Sequence, residues 1–596
     1  MNDNTSNDTL LKPSAKPWGG ESMPGPTGLS DTGLHKVARQ VLLAVCWAIC
    51  GLTLASPASA QAVGPKYEVR AAWVTTLYAL DWPKTKATSP ETARRQQEEL
   101  CDLLDRLKAA GINTVLFQTR SRGDVSYPSR IEPFSTVFTG QPAGNPGYDP
   151  LAFAVEQCHR RGMEIHAWMV AIPVGNAKHA RALGRLSVTR KQPAICMTYR
   201  GVNLLNPAHP KTREYLASLV NEVVEHYDVD GIHLDYLRYP EHAARFPDGA
   251  EYRRSGRDRS LAQWRRDNIT AIVRHIYREV KARKPWVKVS TCPVGRLHDT
   301  DRYPAGGWNA LDAVYQDAAA WLSEGIQDQI YPMMYYSGNF FYPFALDWAE
   351  HAAGRQVVPG LGIYCLDAKE GNWPLSEVER QIRFTRKAIP RGQGEPKEQS
   401  EPKEGGKLNE DSKQKGNGKP RGNAELSGGG ELNRGGKPNG GGEPYGEGPG
   451  TKGLAGQGHY RAEFLVNNTK GLYDLLQSDL YSTPALVPPM TWLDSIPPTA
   501  PTGLTVTRLA DGYLRLTWQP STDNDSRTQP TYVVYGNRSP QGPDTDDPRC
   551  ILTVGLRETS YIYAPDLPWQ ECSSFAVTAV DRYGNESLPS DTKSPR

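Results

Sequence analysis

From residue 66 onward, short apolar runs alternate with longer stretches whose apolar residues recur every three or four positions. The runs "VRAAWVTT" (69–76), "TVLFQTR", "EIHAWMVA", "GIHLDYLRY", "KVSTCPV", "QIYPMMYY" and "QVVPGLGIY" read as strands. The stretches between and after them read as amphipathic helices. One of these, "SPETARRQQEELCDLLDRLKAAG", opens on Ser89-Pro90 and closes at Gly111. Further on, "LAGQGHYRAEFL" supplies an eighth strand and "TKGLYDLLQSDLY" an eighth helix. Eight strand–helix units over 66–480 predict an α/β fold, a (β/α)8 TIM barrel. A doubly wound sheet is the competing reading, but its Gly-rich phosphate fingerprint is missing after the first strand.

Two departures from this rhythm mark domain boundaries. Residues 391–452 are dominated by Gly, Pro, Lys and Glu, with almost no large apolar side chains. Such a segment buries too little surface to offset the entropy of ordering, so a disordered insertion is expected before strand eight. It falls in an αβ loop, at the face of a barrel opposite the active site. Residues 497–596 change period: "YLRLTWQP", "TYVVYG", "TSYIYAP" and "SSFAVTAVDRYGNES" alternate with period two between turn signals. Trp518 and Tyr532 are the expected core. The opening prolines, the Trp518 strand and "AVTAVDRYGNES" resemble a fibronectin type III domain, which implies an all-β sandwich used as a spacer or docking module.

Composition and charge narrow the classes. A chain of 596 residues implies two or three domains, and a net charge of +3 provides no basic field for nucleic acid. The N-terminal 1–60 read as a leader and signal peptide. "HKVARQ" supplies positive charge, "VLLAVCWAICGLTLA" an apolar run, and "SPASA" a cleavage site after Ala60, with Met23 an alternative start. A membrane anchor competes, but the run is short for a bilayer, so export with no stable span after cleavage is expected. Seven cysteines remain after Ala60. Cys550 and Cys572 lie near enough in sequence to pair, and no Cys-x-x-Cys spacing points to zinc. Neither a metal nor a cofactor is expected.

Candidate chemistry follows from alternation along the strands, whose C-terminal ends carry the reactive groups of a barrel. Inward faces are expected to present Trp73 and Thr75, then Gln118 and Arg120 with Asp124 beyond, His166 and Trp168, His233 and Asp235, and Gln329, Tyr331, Met333 and Tyr335. Inward charge is costly unless paired or solvated. Carboxylates among Trp and Tyr suit a sugar, whose glycosidic bond is cleaved by an acid with a base or nucleophile. Asp235 is the first catalytic candidate, with Asp317 or Asp124 as its partner and Glu241 behind them. Trp73, Gln118, Arg120, His166, Trp168, His233 and Tyr335 are the substrate-binding candidates. Plainer roles compete. Asp235 can pair with Arg120 or Arg238, Asp317 can start a helix, Trp73 and Trp168 can fill the core, and the two histidines can be interior hydrogen-bonding residues. Asp230 is expected at the bottom of its strand.

Several stretches in order resemble the glycosyl hydrolase-like 10 family: "EVRAAWVTTLYALDWP", "GINTVLFQTRSRGDVSYPS", "GYDPLAFAVEQCHRRGMEIHAW", "NLLNPAHPKTREYL", "VDGIHLDYLRYP" and "VYQDAAAWLSEGIQDQIYPMMYY". The resemblance implies an exported TIM-barrel glycoside hydrolase acting on a bacterial envelope or other complex glycan. It also implies that Asp235 is the functional centre, with Gln118, Arg120, Asp124 and His233 in the sugar site. Relatives often carry a second aspartate where this chain has Tyr236, and an Asn-Pro stretch where it has "MVAIPVG". The missing acid leaves a non-catalytic glycan-binding barrel as the alternative. A metal hydrolase would need clustered His and Asp ligands, and the sequence shows none.

Overall fold

The computed structural model describes residues 63–304, 306–387, 454–525, 527–564 and 571–595. The expected leader at 1–60 and the insertion at 391–452 lie outside the described residues.

Eight parallel segments form the main sheet. They are β1 (Val69–Val74), β2 (Thr114–Arg120), β3 (Glu164–Val170), β4 (Gly231–Asp235), β5 (Lys288–Thr291), β6 (Gln329–Ile330 and Met333–Met334), β7 (Gln356–Val357 and Gly360–Leu361) and β8 (Gly456–His459). Pro332 and Pro359 divide β6 and β7, because proline has no N–H to give to a ladder. The first halves pair with each other and join β5, while the second halves pair with each other and join β8. β8 pairs in turn with β1, Val69 opposite Gly456. The sheet therefore comes round on itself, in the TIM-like arrangement that the sequence pattern leads one to expect.

Helices cover its outside: α1 (Pro90–Ala109), α2 (Pro150–Arg160), α3 (Pro210–His226), α4 (Leu261–Arg283), α5 (Ala318–Ser323), α6 (Tyr342–Glu350) and α7 (Leu375–Lys387), with a further pair of turns from Leu472 to Leu480. The first shows why the sequence makes a helix there. Ser89 accepts from the Thr92 N–H while the Thr92 hydroxyl answers the Ser89 N–H, and Pro90 fits the first turn. Leu100, Leu104 and Leu107 then fall on one buried face against the strands, each contributing about 1.5–3 kcal/mol of burial. Gly111 closes it at φ 81°, pressed against Tyr481.

The C-terminal region is two three-stranded antiparallel sheets. β9 (Thr502–Arg508), β10 (Leu514–Gln519) and β13 (Ser560–Tyr563) make one; β11 (Thr531–Asn537), β12 (Ile551–Leu556) and β14 (Ser574–Val580) make the other. Leu516, Trp518, Tyr532, Val534, Phe575 and Val577 fill the space between them. Cys550 and Cys572 are both free thiols, contrary to the pairing considered above. Cys572 packs inside with Tyr532 and Val534, whereas Cys550 packs with Val533 and Tyr535, the alternate residues of β11, on the sheet's other side.

This region docks on the floor of the barrel, where the strands begin. Arg582 bridges to Asp228 at 2.8 Å and Asp230 at 3.2 Å, and Arg557 reaches Asp228 at 3.1 Å. His159 holds the second oxygen of Asp230 at 2.9 Å. Burial works against the Asp230 charge, but His159 and Arg582 overcome it and hold its pKa far below the usual range. Gly162 meets the carbonyl of Val554 so closely that a Cβ would sit 2.1 Å from its oxygen.

Candidate active site

The inward side chains stack in layers from the floor to the rim, and each layer has its own chemistry. At the floor, Lys288 donates to Glu164 at 2.6 Å, His166 lies 3.2 Å from the same carboxylate, and Gln329 donates to Gln356 at 2.6 Å. His166, a substrate-binding candidate in the sequence, therefore belongs to the floor, fully buried and away from the rim.

The middle layer is a buried aromatic plug. Trp73 donates its indole N–H to His233 at 3.3 Å, and His233 Nδ1 meets the Ser290 hydroxyl at 2.9 Å. Tyr331 stands edge-on to both rings, with centroids at 5.7 and 5.1 Å. Burial, with a smaller push from His166, drives the His233 pKa well below its ordinary value, so the ring is neutral. Gly458 makes room for Trp73: a Cβ there would lie 2.6 Å from the indole. Trp73 and His233 are thus packed beneath the rim, as interior residues.

Asp235 ends β4 at the top. It is 5% exposed, too little for water to stabilise its charge. Trp168 donates to its Oδ2 at 3.1 Å, and the Tyr236 N–H donates to Oδ1 at 2.6 Å. Tyr236 takes φ 49°, in the left-handed region. Burial raises the Asp235 pKa, outweighing the Cys292 thiol, the Arg238 charge and the two N–H groups that favour the ionised form. Around it, Tyr335 stacks on Tyr460 with centroids 5.2 Å apart, and Tyr364 stands edge-on to both. Arg238 lies over the Tyr236 ring at 4.5 Å and toward Trp308 at 5.8 Å.

The other sequence candidates are placed elsewhere or engaged otherwise. Gln118 uses its Oε1 to accept from the N–H groups of Thr76 and Leu77 at 3.0 and 2.7 Å, fixing the turn after β1. Arg120 was expected to face inward with Gln118. A bulge at Thr119 shifts the register so that Arg120 lies opposite Met169, an outward residue. There it forms a buried bidentate pair with Glu132 at 2.8 and 2.7 Å, and Tyr215 of α3 donates to the same carboxylate. Asp124 is buried, held by Ser121 Oγ at 2.7 Å and the Arg122 N–H, with Oδ2 turned to His179 at 3.6 Å. Asp317 caps α5, accepting from the Ala320 N–H at 3.3 Å. Neither hydrogen-bonds any member of the ring around Asp235.

Sequence reading passed over Cys292, Tyr364 and Tyr460, weighed Arg238 only as an ion-pair partner of Asp235, and noted Tyr236 only as the residue in place of a second acid. Tyr460 carries a usable signal, since it sits at the C-terminal end of strand eight in phase with the inward Gly458. Outside this ring, the fold also assembles a set of metal-ligating side chains, His298, Asp347 and His351, that the sequence did not show as a cluster.

Comparison with known proteins fits this geometry. The model of the family described as "Glycosyl hydrolase-like 10" matches residues 68–367, half of the chain, from just before β1 to just after β7. The chain is 29% identical over 488 residues to "Glycosyl hydrolase YngK" of Bacillus subtilis (strain 168), covering 78% of this chain and 82% of that protein. It is 34% identical over 287 residues to "Glycosyl hydrolase DigH" of Escherichia coli (strain K12), covering 45% of this chain and 65% of that one. Among solved structures, the glycoside hydrolase domain of PgaB (BpsB) from Bordetella bronchiseptica aligns with a TM-score of 0.40 at 15% identity, over 69% of this chain and 99% of that chain. On the family match and these relatives, the chain belongs to the glycosyl hydrolase-like 10 family.

Proposed function

We propose that this protein is an exported glycoside hydrolase that cleaves glycosidic bonds of a complex glycan, with the bacterial envelope glycan as the substrate to try first. The carrying observation is Asp235: a carboxyl at the top of β4 whose pKa burial raises, beneath a ring of tyrosines. A protonated carboxyl is the group that glycosidic cleavage needs first. Asp235 gives its proton to the bridging oxygen as the C–O bond breaks. Water adds at the anomeric carbon and gives up its proton to a second carboxylate.

Two further carboxylates share the electrostatic surroundings of Tyr236 and Tyr460. Asp81 is already paired with Arg461 at 2.7 Å and accepts from the Thr75 and Glu463 N–H groups. Glu241 is exposed on the loop after β4 and acts on Tyr236. Its exposure, with no ion pair among the described residues, makes Glu241 the partner we propose. Tyr236, Tyr335 and Trp308 offer half-buried faces for stacking on pyranose rings. The export assignment rests on the sequence of 1–60. Among the described residues no helix is long and apolar enough to cross a membrane. The C-terminal sandwich, read as a fibronectin type III domain, serves as a module docked to the barrel floor.

The test is release of soluble fragments from purified cell-wall glycan strands by wild type, Asp235→Asn and Glu241→Gln. Hydrolysis requires release by wild type and its loss in Asp235→Asn. No release from any of them, with glycan still retained on the immobilised protein, would replace hydrolysis by binding, the reading that Tyr236 in place of a second aspartate favours.

A further inference from the structure

Three side chains that the catalytic reading leaves unused converge beside the loop that follows β5. His298 lies on that loop, Asp347 lies within α6, and His351 caps the C-terminus of α6 one turn later. Their donor atoms all lie within 4.8 Å of one another. The four-residue spacing puts Asp347 and His351 on one side of the helix. The loop is fastened over α6 nearby: Trp348 donates to the Gly295 carbonyl at 2.8 Å, and the Arg296 guanidinium lies 5.4 Å from the Phe344 ring.

The protonation of the two imidazoles follows from their neighbours. His351 Nδ1 lies 2.8 Å from the carbonyl oxygen of Asp347, and His298 Nδ1 abuts the carbonyl oxygen of Asp299. A carbonyl oxygen accepts and never donates, so each Nδ1 carries the hydrogen. That leaves Nε2 of each ring available as a ligand, while Nδ1 of His351 also lies 3.5 Å from Asp347 Oδ1. The rings stand edge to face with centroids 5.9 Å apart.

Asp347 supplies an independent observation. It is 4% exposed, and its Oδ2 is buried with no hydrogen-bond partner. A carboxylate oxygen left so costs several kcal/mol unless something compensates it. The neighbouring cation, Arg302, is engaged with Glu350 at 2.7 Å.

We propose that His298, Asp347 and His351 form a binding site for a divalent transition-metal cation of the zinc class, held by one imidazole nitrogen of each histidine and a carboxylate oxygen. Two imidazole nitrogens with one carboxylate suit zinc and its neighbours and disfavour calcium and magnesium, which take oxygen ligands. The ion clamps the loop after β5 to α6. That loop continues to Trp308, which faces Arg238 at the rim, so the clamp also steadies one wall of the mouth. The inference does not depend on glycan cleavage, and its test has no activity readout.

Purified full-length protein, stripped with a chelator and dialysed, is titrated with Zn2+ by calorimetry and with Co2+ by visible absorption. One equivalent is expected. Asp347→Asn and His351→Ala should each weaken Zn2+ binding by about 100-fold or more, beyond the 10–100-fold effects of outer-shell changes. Bound Co2+ should show visible bands without thiolate charge transfer, because no cysteine belongs to the set. His351 is half-exposed, so His351→Ala should keep the metal-free unfolding midpoint, which separates loss of binding from loss of fold. Zn2+ should also slow amide exchange over residues 296–304 in wild type and not in the variants. Equal Zn2+ affinity in wild type, Asp347→Asn and His351→Ala, or a thiolate-dominated Co2+ spectrum, would overturn the site.

Discussion

In Asp235, burial outweighs every group that favours the charged carboxyl, and this has consequences for both rate and stability. Replacing it with Asn removes the acid and should lower glycan cleavage by about 10^2–10^4-fold, as loss of a general acid does. Its raised pKa means that the native state binds a proton the unfolded chain has already released. Stability from this group is therefore full below the ordinary Asp pKa and is lost as pH rises through the raised one. Asp235→Asn should accordingly raise the thermal midpoint at pH 7 relative to wild type, with the difference shrinking toward pH 4. For the rate, the acid must be protonated, so kcat/KM should fall on the alkaline side. The Trp168 N–H favours the ionised form, so Trp168→Phe should move that alkaline limb to higher pH. Asp235 was legible in sequence because it ends an apolar strand in phase with its inward face. Asp317 and Asp124 were not separable from it, since a capping or loop-bound aspartate looks the same in sequence as one at a barrel rim until its donors are known.

At the level of the element, alternation correctly assigned the inward residues of β1, β3 and β4, and it failed at one place on β2. The bulge at Thr119 turns Arg120 outward, and a single extra residue has no signature in a pattern of apolar and polar positions. This changes the expected phenotype of Arg120. As half of a buried pair with Glu132, its loss in Arg120→Ala should destabilise the fold by about 3–5 kcal/mol in denaturant unfolding. A sugar-contacting arginine would instead raise KM and leave the midpoint alone. β8 offers a second case. Gly458→Ala drives a methyl group against the Trp73 ring, where overpacking costs about 1–3 kcal/mol, again read as a lower unfolding midpoint. The breaks at Pro332 and Pro359 were present in the sequence as prolines within apparent strands, and they shorten β6 and β7 without opening the ring of pairings.

Across the whole molecule, eight repeats of one rhythm were enough to expect the barrel, because each strand–helix unit buries its apolar faces in the same way. Which face of the barrel the C-terminal sandwich would cover was not legible. It depends on ion pairs such as Arg582 with Asp228 and Asp230, whose partners lie more than 350 residues apart in sequence. The same holds for His298, Asp347 and His351, which local spacing cannot unite. The insertion leaves after α7 and the chain returns into the start of β8, which places both ends at the floor. Removal of residues 391–450 should therefore leave glycan release and the unfolding midpoint within about twofold and a few degrees of wild type. A larger loss would mean that the segment reaches the rim.

The floor contacts give the molecule a polarity. Lys66, at the entry to the first strand, is tied to Glu586 of the sandwich, so the start of the barrel and its appended module share one pole while Asp235 opens at the other. A bead or surface that grips the sandwich would hold the protein like a lamp by its stand. Coupling chemistry aimed at that module should immobilise the protein with Asp235 turned away from the support.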